Sequence, residues 1–323
     1  MEILLRSSIE DDKIFAREAA CAAGMGFSIA ADADEVLARI SSSDETFLLL
    51  FGLADIRETE EFHEKIAPRI GSGPGMIHPD LVHMIGILQP EEVTEYFKKS
   101  LFGCFLLRNF GNPSEAAQHY GGLLPEILAK RGVVGPERRP SEHCETIRLR
   151  HSLDKADAIN KISDFLINQA HFQERMVNTI CAAVDELIMN AIYDAPMNSD
   201  GQQKFKGIPR TTPVALDGRQ ELEIFAAMHG EYVSVSVTDN FGSLKRANII
   251  KHVLKNYRSK DYKVDESIFN GGIGLATTFQ MGGSLLFFCD TDSRTEAMVL
   301  FRKTDNFKQF KAQFRFVAVQ ADG

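Results

Sequence analysis

The feature that most constrains this chain is a change of pattern at one place. Residues 132 to 143, GVVGPERRPSEH, mix glycine, proline and charge with no apolar period, the composition of a linker. Before them, short apolar runs alternate with helical patterns. After them, two long helical patterns come first and strands at hairpin spacing follow. A chain that switches period in this way builds two cores rather than one. A length of 323 residues fits two domains. We expect a first domain over 1–131, a linker over 132–144 and a second domain over 145–323.

In the front half, EILLRS, FSIAA, ETFLLLFG, HMIGIL and FGCFLLRN read as strands. EDDKIFAREAACAAG, ADEVLARIS, EEVTEYFKKS and SEAAQHYGGLLPEILAKRG read as helices between and after them. Strands separated by helices predict a parallel sheet with helices on both faces, an α/β domain. In the back half, KADAINKISDFLINQA and QERMVNTICAAVDELIMNAIYDA read as helices. ETIRLRH, PVALDG, ELEIFAAMHG, YVSVSVTDN, SLLFFCD and EAMVLFRK read as strands. That order predicts an α+β sandwich, a largely antiparallel sheet with helices on one face.

Charge and cysteine usage narrow the function classes. Residues 1–140 carry 22 Asp and Glu against 14 Lys and Arg, while the rest is nearly neutral, at 23 against 22. An acidic front half argues against nucleic acid as a partner. No apolar run is long enough to cross a membrane, and acids follow the first apolar run where a leader would be cleaved. The five cysteines, Cys21, Cys104, Cys144, Cys181 and Cys289, are scattered, as expected for reduced thiols in a cytoplasmic protein.

Three stretches of the back half carry chemistry. In AAVDELIMNAIYDAP, Val184, Leu187, Ile188 and Ala191 form the apolar stripe of a helix, while Glu186, Asn190 and Asp194 recur every four residues on another face. A carboxylate and a carboxamide one turn apart suit a metal ion and a water better than a core. In VSVSVTDNFGSL, alternating valines make a half-buried strand, and Asp239 follows it at a turn. In NGGIGLATTFQMGG, Gly271, Gly272 and Gly274 precede a helix from about Leu275. Free backbone N–H groups and the positive end of the helix dipole there suit a phosphate chain. The dinucleotide fingerprint does not fit, because a third glycine and a preceding strand are missing.

In this order the three stretches resemble the boxes of the GHKL superfamily, the Bergerat ATP-binding fold of histidine kinases and related ATPases. Within it the chain looks most similar to the anti-sigma-factor serine kinases. The resemblance covers about 145 to 305, with DELIMNAIYDA as the N-box, DNFGSL as the first glycine box and GGIGLA as the second. It implies ATP and Mg²⁺ as cofactors. Asn190 would ligate the metal and Glu186 would be the catalytic base. Asp239 would accept from the adenine amino group, and Gly242 would let the backbone pass the purine. Gly272, Gly274 and Leu275 would wrap the phosphates, with Asp194 near the nucleotide. Residues 245–270, with Lys245, Arg246, Lys251, Lys255, Arg258 and Lys260, would form a lid. The chain departs from the family pattern at Phe241, Ser243 and Ala276, where glycines are usual.

The layout of residues 1–131 resembles a response-regulator receiver, a flavodoxin-like fold, with its chemistry lost. Ser7 and Ser8 stand where the paired acids belong, Phe51 stands for the phosphoacceptor aspartate, and Arg108 stands for the late lysine. Asp11 and Asp12 are expected in the first turn of a helix, where acids suit the dipole, and Asp55 in a turn. The resemblances together imply a cytoplasmic signalling protein with a pseudo-receiver fused to an ATPase module. The expected activity is a serine/threonine protein kinase or a partner-switching regulator acting on a protein of the sigma-factor or antagonist kind, with pairing of two copies a further expectation. A non-catalytic nucleotide-binding scaffold is one alternative. An atypical histidine kinase using His151 or His171 is another.

Overall fold

The structure is a computed structural model, and it describes residues 1–42, 45–52, 61–62, 64–71, 76–87, 102–129, 143–205, 207–216, 220–246, 249 and 273–321. Asp55, Gly271, Gly272 and, apart from Lys245, Arg246 and Ile249, the expected lid lie outside these residues, as does the expected helix EEVTEYFKKS. The chain divides into two compact units. Met1–Arg131 with Phe314–Val319 form the first, and Gly132–Gln313 with Gln320–Gly323 form the second. The expected second domain, 145–323, therefore gives up Phe314–Val319 to the first unit.

The first unit contains β1 (Glu2–Arg6), α1 (Glu10–Ala23), β2 (Gly26–Ile29), α2 (Ala33–Ser42), β3 (Phe47–Gly52), β4 (Val82–Gly86), β5 (Cys104–Leu107) and α3 (Pro113–Leu128). The strands run parallel in the order β2-β1-β3-β4-β5. β3, β4 and β5 are buried along their whole length, as strands covered on both faces must be, which explains their unbroken apolar runs. Gly24, at φ 66°, stops α1 in the left-handed conformation. The Asn112 side chain accepts from Ser114 N at 3.1 Å and starts α3, with Pro113 in its first turn. α1 and α3 cross closely at small residues. A Cβ on Gly121 would lie 2.4 Å from Ala19 O.

The tail completes this unit. The strand at Phe316–Ala321 pairs antiparallel with β5, Phe316 opposite Leu106 and Ala318 opposite Cys104. Phe314 and Phe316 close an aromatic cluster with Phe15, Phe110 and Tyr120. Phe15 and Phe110 stack at 4.5 Å, and Phe316 meets Tyr120 at 5.7 Å. Tyr120 and Phe316 are fully buried.

The second unit contains β6 (Cys144–Leu149), α4 (Lys155–Asn168), α5 (Glu174–Met189), β7 (Leu222–His229), β8 (Tyr232–Asp239), α6 (Ile273–Gln280), β9 (Ser284–Asp290), β10 (Arg294–Arg302) and α7 (Phe307–Ala312). With the tail strand numbered β11, the strands of this unit follow the order β9-β10-β8-β7-β6, and each described pair is antiparallel. α5 lies against β8 and β10, α4 against β6, and α6 against β9. The expected strand PVALDG reduces, among the described residues, to one bridge between His151 and Ala215. α7 carries Phe310 onto Phe301 of β10 at 5.1 Å, and Arg175 of α5 lies over the Phe307 ring at 4.1 Å.

Candidate functional site

α5 forms because Met176, Val177, Ile180, Ala183, Val184, Leu187 and Ile188 recur at helical spacing and are all buried. Off this stripe, Asp185 pairs with Lys155 of α4 at 2.6 Å, a brace between two helices. The sequence predicts one helix through Asp194. The structure instead ends the α-helix at Met189 and continues as a π turn over Asn190–Asp194, closed by Ala195 N donating to Asn190 O at 2.9 Å. A π turn takes one more residue per hydrogen bond than an α turn.

A residue the sequence analysis did not single out joins the polar face. One nitrogen of Arg210 donates to Asn190 Oδ1 at 2.9 Å and to Asp194 Oδ2 at 2.6 Å. Its other terminal nitrogen lies 3.6 Å from Glu186 Oε2. The loop bearing Arg210 is tied down just after it. Tyr193 Oη donates to Thr212 O at 2.7 Å, and Val214 N donates to Ser152 Oγ at 2.8 Å. The Glu186 side chain is only 17 % exposed. Burial raises its pKa above the ordinary carboxylate value, and the nearby Asp194 adds to this; the Arg210 guanidinium and the Asn190 amide pull it back. Glu186 Oε1 is buried with no hydrogen-bond partner. A carboxylate whose pKa burial raises holds a proton more strongly than an exposed one.

The glycine-rich start of α6 meets the same carboxylate. A Cβ on Gly274, in the first turn of α6, would stand 2.3 Å from Glu186 Cγ and 2.7 Å from Glu186 Oε2. Glycine at 274 is what lets α6 approach Glu186. Leu275 is buried, so its side chain is part of the core and only its backbone remains for a ligand.

Asp239 is the last residue of β8 rather than a residue beyond it, and it pairs directly with Thr295 of β10. It continues the face of Val233, Val235 and Val237, and it is 4 % exposed. Phe241 N donates to Asp239 Oδ1 at 2.9 Å. Burial pushes the pKa of Asp239 up to about 6, against the opposing pull of the Phe241 and Gly242 amides and the Thr295 hydroxyl. Gly242 has φ 58°, and a Cβ there would lie 2.2 Å from Asp290 O. Its glycine is required by the β9–β10 turn packed against it, a reason independent of any ligand. Ser243 Oγ then donates to Ala195 O at 2.8 Å. That bond ties the turn after Asp239 to the residue following Asp194. Contacts thus run without a break from Asp239 through Ser243, Ala195 and Asp194 to Arg210, Asn190, Glu186 and Gly274.

Among the expected lid cations, Lys245 is exposed and Arg246 is buried. His151 accepts from Leu153 N at 3.1 Å as a helix cap, and His171 occupies a left-handed turn before α5. Among the described residues, no group of three or more His, Cys, Asp and Glu could hold a metal ion unaided. Arg210 and Thr295 escaped the sequence analysis for different reasons. Arg210 sits in a Gly/Pro loop with no periodic signal. Thr295 becomes Asp239's neighbour only through a strand register that no local motif encodes.

In the first unit, the end of the sheet where β1, β3 and β5 finish is closed by one cluster. Asp12 is fully buried and accepts from Ser7 Oγ at 2.7 Å and from Arg108 at 2.8 and 2.9 Å. A Cβ on Gly52 would lie 2.0 Å from Asp12 Oδ2. Asp11 and Asp12 do stand in the first turn of α1, as expected, and Asp12 is in addition the buried counter-ion of Arg108. Phe51 is also buried, its ring 5.1 Å from that of Phe62. No helix among the described residues is long and apolar enough to cross a membrane. No protein-family model matches this sequence, and no curated protein matches it.

Proposed function

We propose that residues from about 145 to 305 are a GHKL-type module that binds ATP with Mg²⁺, and that the protein acts in signalling by phosphorylating or sequestering a protein partner. The observation that carries this reading is the buried Asp239, tied through Ser243 and Ala195 to the Glu186, Asn190 and Asp194 face. An acceptor for an adenine amino group on one side, and oxygen donors with a glycine-cleared helix start on the other, suit the polarity of a nucleotide. The front unit, on the same proposal, is a receiver-like module with strand order β2-β1-β3-β4-β5 whose phosphorylation site is filled by the Ser7, Asp12 and Arg108 cluster.

The residues fit Mg²⁺ brought in with a triphosphate. Asn190 Oδ1 already faces a cation, the Arg210 guanidinium, and Glu186 Oε1 is buried without a partner. An ion of this kind takes one or two protein oxygens plus phosphate oxygens rather than an all-protein cage. Bound there, it would supply charge neutralisation and orientation of the triphosphate. Asn190 would hold it by its amide oxygen. Glu186, its pKa raised by burial, would accept the proton of an attacking hydroxyl or water. Asp239 would select adenine by accepting from its amino group.

Calorimetric titration with Mg-ATP tests this. Asn190→Ala should lose metal-dependent affinity, and Asp239→Ala should lose preference for ATP over GTP. Two variants that bind like the wild type would remove the site assignment. The scaffold reading is supported by Arg210 donating to both Asn190 and Asp194, the oxygens a metal would need. Tight ATP binding with neither phosphate transfer nor release would decide for it.

A further inference from the structure

Arg210 occupies the position of a cation. A single guanidinium nitrogen bridges Asn190 Oδ1 and Asp194 Oδ2, and the other faces Glu186. On the nucleotide reading, on which this inference rests, Asn190 Oδ1 is also the metal-holding oxygen. Both cannot use it at full strength. A magnesium ion sits about 2 Å from its oxygen ligand, and a guanidinium on the same oxygen would leave two positive charges a few ångströms apart in a partly buried site. The loop bearing Arg210 is anchored at Thr212 and Val214, so a guanidinium that lets go of Asn190 stays beside the site. When nucleotide arrives without metal, the planar fork of Arg210 suits the phosphate oxygens.

We infer that Arg210 is the resident cation of this site. It satisfies Asn190 and Asp194 while the site is empty, neutralises the triphosphate of metal-free nucleotide, and is displaced from Asn190 by Mg²⁺ when the metal-loaded nucleotide binds. Arg210 and the divalent ion are therefore alternatives, and Arg210 sets how strongly nucleotide binding depends on metal.

The test is ATP affinity measured by calorimetry in excess EDTA and in excess Mg²⁺, for wild type, Arg210→Gln and Arg210→Lys, with thermal unfolding as the check on folding. Arg210→Gln should weaken metal-free ATP about ten-fold, the size of one lost charge-assisted hydrogen bond. It should leave Mg-ATP unchanged or tighter, so that the enhancement by Mg²⁺ grows by at least the same factor. Arg210→Lys keeps the charge in the milder perturbation and should hold metal-free affinity within about three-fold of wild type. A substitution that shifts both affinities equally, or neither, overturns the inference while leaving the nucleotide reading intact. A loss in Arg210→Lys as large as that in Arg210→Gln also overturns it, because charge would not be the property at work. Wild type that binds ATP in neither condition ends the nucleotide reading and this inference with it.

Discussion

Asp239 gives a prediction with a magnitude that can be worked from its surroundings. It is 4 % exposed, and burial raises its pKa from 3.8 to about 6. Between those values the folded chain holds a proton that the unfolded chain has released, so stability falls as pH rises through the window. The shift corresponds to about 3 kcal/mol, present in full below the unfolded value and lost above the folded one. Asp239→Asn keeps the shape and an acceptor for Phe241 N but cannot ionise. Urea unfolding at pH steps from 4 to 7.5 should therefore show the variant gaining on wild type by about 2–3 kcal/mol as pH rises. Taking the difference between the two proteins cancels the other carboxylates, Glu186 included. A difference constant to within about 0.5 kcal/mol over that range, the scatter of surface substitutions, would refute the account of Asp239 as a charge held against burial. On the nucleotide reading there is a second arm. An adenine amino group donating to the carboxylate favours its charged form, so ATP affinity should rise with pH through about 6 in wild type and stay level in Asp239→Asn.

Three further outcomes follow from packing and charge. Gly242→Ala should destabilise the second unit by about 1–3 kcal/mol, because the backbone at φ 58° disfavours a side chain and the new methyl would strike Asp290 O; a cost within scatter in chemical denaturation would mean that the turn relaxes. Arg108→Met should cost about 3–5 kcal/mol, since it strands the fully buried Asp12 carboxylate, whereas Arg108→Lys should recover part of the loss. Phe316→Ala should cost about 3–5 kcal/mol, with hydrogen exchange rising in β5 and α3, the elements its strand and ring contact. Exchange rising only in the second unit would contradict the placement of the tail.

What could be read from the sequence was periodic, and what could not was decided by distant partners. The apolar runs of β3, β4 and β5 and the stripe of α5 announce themselves, because burial on a repeating face leaves a repeating signal. The tail strand leaves none. FVAV alternates like many short segments, and what fixes it is a pairing with β5, more than two hundred positions earlier. Asp12 shows the same limit from the other side. Three acids at the start of a helix are ordinary dipole chemistry. Only the arrival of Arg108 from the end of β5 makes one of them a buried counter-ion. The polar face of α5 obeys this rule too. Glu186, Asn190 and Asp194 could be grouped from their spacing, but three clustered oxygen-bearing side chains in a partly buried place require a compensating positive group. Spacing cannot say where that group comes from. In this chain it comes from a Gly/Pro loop as Arg210, whose guanidinium meets all three side chains. The electrostatic demand was therefore legible in the residues, while its answer depended on how the chain returned on itself. A search for unmatched charge on a predicted helix face, followed by asking which loop arginine could reach it, would have found the residue that periodicity passes over.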